Sequence, residues 1–233
     1  MEKLVSVLLP SRKRPDWLRD TLLSLHTNTS VPDSIEYLVK LDTDDHETAS
    51  ALHTLPTDLD IKYLIYKRGN GYRDIHHYAN DLCKLSTGKW LFIMNDDARM
   101  QTKGWDDVIR SINPLKYNPT WQGSMEVSII NPGSSLCDYS PIFPMMSRKG
   151  YELIGHYSMH HHIDAYIQNV FSGINTNIDC WDIRIHHLNN DISDSTRADS
   201  AHNQDMSLFH KEENTKIMDE AKAKLLRHLG RSS

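Results

Sequence analysis

Ser86-Thr87-Gly88-Lys89-Trp90-Leu91-Phe92-Ile93-Met94-Asn95-Asp96-Asp97 is the stretch from which the fold can be read. A polar turn containing glycine gives way to an unbroken run of large apolar side chains, which stops at an amide and two carboxylates. Such a run, bounded by turn residues, suits a strand buried on both faces at the centre of a parallel sheet. Its polar end is as informative as its interior. In open α/β sheets ligands bind beyond the carboxyl ends of the strands, so Asn95, Asp96 and Asp97 fall where a site is expected.

The same grammar repeats upstream. Residues 4–9 are a short apolar strand closed by Pro10. Residues 15–26 follow as a helix, with Pro15 and Asp16 as start signals and Trp17, Leu18, Leu22, Leu23 and Leu25 near a 3.6-residue period. Residues 35–41 and 61–66 read as further strands, 45–53 and 72–84 as helices. Strands alternating with helices predict right-handed crossovers and a mostly parallel, Rossmann-like sheet flanked by helices. Downstream the pattern loosens: 125–130 and 141–146 read as strands, 151–156 and 163–171 as helices, 178–185 as extended chain. Residues 205–229 predict a terminal helix running into the basic tail Arg227-His228-Leu229-Gly230-Arg231.

Composition narrows the class without naming a function. With 233 residues, 39% hydrophobic and 24% charged, the chain is long enough for one large core and excludes collagen-like, low-complexity and disordered classes. The mean hydropathy is −0.56, and apolar runs fall far short of the ~20 residues that span a bilayer. A net charge of −5 gives no global nucleic-acid footprint, although the 14 histidines would reduce it in mild acid. Cys83, Cys137 and Cys180 are odd in number, widely spaced and without a CxxC. The expected setting is therefore a reducing cytoplasm, that of a viral host included.

Four strand ends carry the chemistry: residues 10–14, 42–45, 67–71 and 95–97. They would gather basic residues and carboxylates at one place, as a metal-bound phosphate ligand requires. Adjacent Asp96 and Asp97 repel unless a cation intervenes, and one or two carboxylates with bound phosphates commonly hold Mg2+ or Mn2+. The plainer alternative is solvated turn residues or helix caps. That alternative is preferred for Asp44, Asp45, Lys13 and Arg14.

Together, Val5 to Arg12, Asp42, Ser86 to Asp97 and the segment Met146-Ser147-Arg148-Lys149-Gly150-Tyr151-Glu152-Leu153-Ile154-Gly155 resemble, in order and spacing, the family-2-type glycosyltransferases of the GT-A fold. The resemblance spans roughly residues 4 to 190. It implies a single GT-A domain over residues 1–200, with a donor half 1–115, an acceptor half 116–200, and residues 201–233 as a C-terminal helix and tail. It also implies a metal-dependent transferase that moves a sugar from a nucleoside-diphosphate sugar, UDP-linked by preference, to an acceptor hydroxyl with inversion. In the family an Asp-x-Asp-like motif holds the metal. Asn95 replaces the first acidic residue here, leaving Asp97 as the implied ligand and Asp96 toward ribose or metal. Pro10, Ser11, Arg12, Asp42 and Arg68 correspond to the donor pocket, Asp164 to the general base, and His186 or, with slight preference, His187 to a further metal ligand. Ile163 departs from the acidic residue that often precedes the base.

Three rivals stay open. A sugar-nucleotidyltransferase would share the sheet and the acidic metal ligands, but residues 10–15 carry no glycine for a phosphate loop. A non-catalytic sugar or nucleic-acid binding module would explain Asn95 and the basic tail. A zinc hydrolase would use His156 and His160, spaced i, i+4, together with Asp164, but no HExxH accompanies them, and the cluster His156, His160, His161 and His162 reads instead as acceptor-site lining or solvated loop. The acceptor is not specified by the residues; polysaccharide, protein, lipid-linked saccharide and modified DNA bases are all used within this fold.

Overall fold

A computed structural model describes residues 2–134, 142–188 and 212–232. Among the elements that match the sequence expectation in kind are β1 Val5–Pro10, α1 Pro15–Thr27, β2 Ile35–Asp42, α2 His46–Leu52, β3 Ile61–Tyr66, α3 Ile75–Leu85, β4 Trp90–Ile93, and, further on, β6 Ile129–Ser134 and β8 Asn177–His187. Between them lie β5 Ala98–Met100, α4 Trp105–Arg110, α5 Pro114–Tyr117 and β7 Met145–Ser147. Three helices complete the described chain: α6 Arg148–Ile154, α7 Ile163–Phe171 and α8 Glu212–His228.

Periodicity explains the layers. Along β1 and β2, Val5, Val7, Leu9, Ile35, Tyr37, Val39 and Leu41 face one apolar cluster, while Leu8 and Leu38 face the other. In β4, Trp90 and Phe92 take the first side, Leu91 and Ile93 the second. Both faces of these strands are covered, which is why they read as continuous apolar runs. Helix α1 packs on one face. Helices α3, α6, α7 and α8 contribute to the other through Leu82, Ile154, Ile167 and Leu225.

The eight strands run in the order β3-β2-β1-β4-β7-β6-β8-β5. β3, β2, β1 and β4 are parallel, as are β6 and β8, whereas β7 runs against both its neighbours and β5 against β8. β5 follows β4 directly in sequence yet lies four places away in the sheet. Four flat strand spacings amount to about 19 Å, whereas Ile93 to Ala98 reaches at most about 18 Å fully extended. The link is a turn, with Ala98 N donating to Asn95 O at 3.3 Å, so this half of the sheet must curl back toward β4.

Several boundaries differ from expectation for local reasons. The strand expected over 125–130 begins as a 3-10 turn, Met125–Val127, because the Ser124 hydroxyl caps it by accepting from Glu126 N. The strand then continues through Asn131-Pro132-Gly133, which reads as a turn in sequence; the register against β8 shifts at Pro132/Gly133, where a proline without an N–H is tolerated. The strand expected over 141–146 is Met145–Ser147, and Pro141 lies outside the described residues. The helix expected over 151–156 starts earlier, at Arg148 capped by Ser147, and stops at Gly155, whose φ of 92° is left-handed. The expected terminal helix is described from Glu212; residues 205–211 lie outside the described residues, as does Cys137. Cys83 and Cys180 are free and buried. No helix among the described residues is long and apolar enough to cross a membrane.

The sheet's base is tied by one carboxylate. Glu36 is fully buried and accepts from Ser6 Oγ at 2.6 Å, Lys62 Nζ at 2.6 Å and Gly88 N at 3.2 Å, joining β1, β2, β3 and the turn before β4. A Cβ at Gly88 would stand 2.6 Å from Ser6 N, so only glycine lets the turn approach β1 this closely. Burial opposes ionisation of Glu36, but Lys62, Ser6 and Thr87 outweigh it and hold its pKa below the ordinary glutamate value. Its stabilisation is therefore complete above the unfolded-state pKa and drains away as the pH falls through the folded-state value. Glu36→Ala is expected to cost about 3 kcal/mol in urea unfolding near neutral pH and progressively less as the pH falls through the folded-state pKa of the wild-type carboxyl.

Candidate functional site

The carboxyl ends of β1, β2 and β4 open onto a cleft of about 950 Å3. The residues assigned from sequence to the donor pocket, the base and the preferred metal ligands line it: Pro10, Ser11 and Arg12 after β1, Asp42 at the end of β2, Arg68 after β3, Asp96 and Asp97 after β4, Asp164 in the first turn of α7, and His187 at the end of β8. Register explains the last of these. Ala98 of β5 pairs with His187 of β8, which places the preceding Asp97 beside that histidine. His187 is the buried one of the two histidines, whereas His186 pairs opposite Arg99 outside the cleft lining.

Asp96 and Asp97 are both buried, 6% and 7% exposed, and are held by different groups. Asp96 accepts from Ser11 Oγ at 2.7 Å and from Arg14 at 3.0 Å. Asp97 Oδ1 lies 3.2 Å from His187 Nε2, and its other oxygen 3.9 Å from Arg14. Burial raises the Asp96 pKa despite Arg14 and Ser11. For Asp97 burial acts the same way, but His187 and Arg14 prevail and keep its pKa below the ordinary value. One carboxylate thus resists ionisation while its neighbour favours it.

Asp97 and His187, flanked by Asp96 and Asn95, form a donor set of oxygen and imidazole suited to Mn2+ or Mg2+. Arg14 differs from the expectation of solvated surface charge. Its guanidinium turns inward to the carboxylate pair because α1 begins at Pro15, directly after it. Asp45 does act as a cap, accepting from Thr48 N at the start of α2. Asp44 forms a two-pronged pair with Arg12 at 2.6 and 2.8 Å. The Nη1 of Arg12 that meets Asp44 also reaches Asp42, so this arginine gathers the end of β2 against the end of β1.

Lys40 was not anticipated. It is 2% exposed, pairs with Asp42, and places its ammonium 4.6 Å and 3.9 Å from the ring centres of Tyr66 and Tyr78. Its signal in the sequence is a lysine inside the otherwise apolar run Leu38-Val39-Lys40-Leu41, two residues before Asp42. The ammonium and the Arg12 guanidinium leave Asp42 flanked by two cations in a polar wall of the cleft. Tyr72, Tyr78 and Phe143 also line the cleft without having been anticipated, and of the histidine cluster His161 and His162 line it while His156 and His160 do not.

The histidine arrangement expected on one helical face does not form. Helix α6 ends at Ile154, His156 Nε2 sits 2.5 Å from Tyr166 Oη, and His160 lies in the connection to α7. Asp164 is not the N-cap of α7 either; that position belongs to His162.

The curled, mostly parallel sheet with its strand-end cleft has counterparts among solved structures. A mannosyltransferase from Pyrobaculum calidifontis, solved with GDP-Man and Mn2+, aligns with a TM-score of 0.62 at 15% identity, over 100% of this chain and 77% of that one. The S. aureus protein TarS, residues 1–349, aligns at 0.60 and 11% identity, over 97% and 81%. The same protein in complex with UDP-GlcNAc gives 0.58 at 11% identity, over 98% and 73%. This chain has the GT-A fold. No protein-family model matches the sequence, and no curated protein matches it either.

If Lys40 neutralises Asp42, removing it strands a buried carboxylate on Arg12 alone. Lys40→Met, which keeps most of the volume, is expected to lower the unfolding free energy by about 3 kcal/mol in chemical denaturation, and Lys40→Met with Asp42→Asn to recover part of that loss.

Proposed function

We propose that this GT-A domain is a glycosyltransferase that takes a sugar from a nucleoside-diphosphate donor, UDP-linked by preference, and passes it to an acceptor hydroxyl with inversion. The observation that carries this reading is the convergence of Asp42, the Asp97–His187 pair and Asp164 on one cleft at the strand ends. Neighbours of the same fold have been solved with GDP-Man and Mn2+ and with UDP-GlcNAc, which supports a nucleotide-sugar donor.

Each residue has a distinct task in this reading. Asp42, fixed by Arg12 and Lys40, accepts hydrogen bonds from the nucleobase or ribose, and Pro10 and Ser11 form the adjoining wall. Arg14 and Arg68 bring positive charge to the diphosphate. Asp97 and His187 would hold Mn2+ or Mg2+, with Asp96 supporting from the side, and a cation there would supply positive charge against the departing nucleoside diphosphate. Asp164, across the cleft, takes the proton from the acceptor hydroxyl as that oxygen attacks the anomeric carbon. Residues 1–115 serve the donor and residues 116–200 the acceptor.

The donor and acceptor roles separate experimentally. Asp97→Ala is expected to lower transfer by about a hundredfold or more and to abolish the Mn2+ dependence of nucleotide binding in calorimetric titration. Unchanged titrations would remove Asp97 as a ligand. Asp164→Asn is expected to bind nucleotide sugar as the wild type does while transfer falls by about 10^2 to 10^4. A thermal-shift series over UDP- and GDP-sugars, with and without Mn2+, identifies the base through donor-dependent stabilisation.

A further inference from the structure

On the wall of the cleft formed by the connection from α6 to α7, three consecutive imidazoles are packed together. His160, His161 and His162 are 8%, 8% and 5% exposed. Their ring centres lie 4.2 Å apart for His160 and His161, 4.4 Å for His161 and His162, and 5.2 Å for His160 and His162. One ring nitrogen from each falls within 4.8 Å of the others. Three buried imidazoles this close cannot all be cationic, because like charges at that depth repel strongly. Neutral imidazole is also the form that ligates metals.

The connection that carries them is held in place by side-chain hydrogen bonds. Asn80 of α3 accepts from Tyr157 N at 2.6 Å and donates to Ser158 O at 2.7 Å. The Ser158 hydroxyl accepts from His160 N at 3.1 Å and donates to His160 O at 2.7 Å. The His162 amide donates to His160 Nδ1 at 3.2 Å, which orients that ring toward its neighbours. His161 and His162 line the cleft, and the Tyr72 ring stands edge-on to His161 with ring centres 5.6 Å apart.

We propose that His160, His161 and His162 form a second divalent-cation site, selective for imidazole-preferring metals such as Zn2+ or Co2+ and separate from Asp97 and His187. The donor chemistry divides the two sites. Asp97, His187 and their neighbours offer mostly oxygen, which suits Mn2+ and Mg2+, whereas the triplet offers nitrogen alone, which suits the later transition metals. Three protein ligands leave room for oxygen ligands from the cleft, the arrangement of an open rather than a closed zinc site. Asp164 lies two residues beyond His162, so an occupied site places positive charge near the acceptor side of the cleft. The proposal does not rest on the transferase reading, because metal binding is measured without a donor or an acceptor.

Titrating the full chain, stripped of metal, with Co2+ tests it through the visible absorption of the bound ion. The expected result is an intense band of low-coordinate, nitrogen-ligated Co2+ that Zn2+ displaces and excess Mg2+ does not. His161→Gln and His162→Gln are each expected to weaken Co2+ binding at least about tenfold, while Asp97→Asn keeps the band. Absence of the band, its persistence in both histidine variants, or its loss in Asp97→Asn would overturn the assignment. X-ray absorption of the Zn2+-loaded wild type tests the same point without any substitution: a shell with three imidazoles supports the site, and one dominated by carboxylate oxygen refutes it.

Discussion

Two consecutive carboxylates, both more than nine-tenths buried, cannot end a central strand unless their charge is answered from elsewhere in the chain. In this protein the answer comes from distant positions. Ser11 and Arg14 arrive from the end of β1 and His187 from the end of β8, and the backbone oxygen of Asp96 is held by Thr21 of α1 at 2.7 Å. The requirement to neutralise Asp96 and Asp97 therefore ties together the ends of β1 and β8 and the start of α1. It also splits the pair, since the groups around Asp97 favour its charge and the burial of Asp96 opposes it. The region that sequence reading marked as chemical is also the region where the fold is most constrained.

The parallel half of the sheet and its strand-end residues were legible because their signals are local. Strands β1 and β4 are largely apolar on both faces and β2 on one, and each gives way to polar residues that need no tertiary knowledge to notice. Arg14 was not legible in the same way. In sequence it stands beside Lys13 and Arg12 as one of three basic residues, and only the start of α1 turns it toward Asp96 and Asp97. β5 has three residues, too few for a period of two to show against its surroundings. Pro132-Gly133 reads as a turn because the partner strand that accommodates it is some fifty residues away. The histidine triplet was seen, but the helical spacing of His156 and His160 drew attention from the contiguous rings that the connection after Gly155 brings together.

Polar residues inside β2 show how one strand can serve both stability and chemistry. Glu36, Lys40 and Asp42 are even-numbered and share the face on which Leu38 is the apolar residue. At the lower end Glu36 binds the turn before β4; at the upper end Lys40 and Asp42 form the cleft wall. Alternation puts all three on the side covered by α3, so the helix shields the charges that a fully apolar strand would not carry. The sheet base and the site are thus connected through six residues of extended chain.

The turn at Asn95 to Asp97 covalently links the fourth and eighth positions of the sheet, so the strands between them make a loop that returns to its own start. A structure of that kind has no local hinge at the turn. Swinging the carboxylates aside would mean stripping β5 from β8 or parting β4 from β7, both of which are hydrogen-bonded along their length. The acidic turn accordingly behaves as a rigid anvil. The parts of the cleft wall outside this ring, around residues 67–74 and 155–163, are short connections and helix starts rather than paired strands.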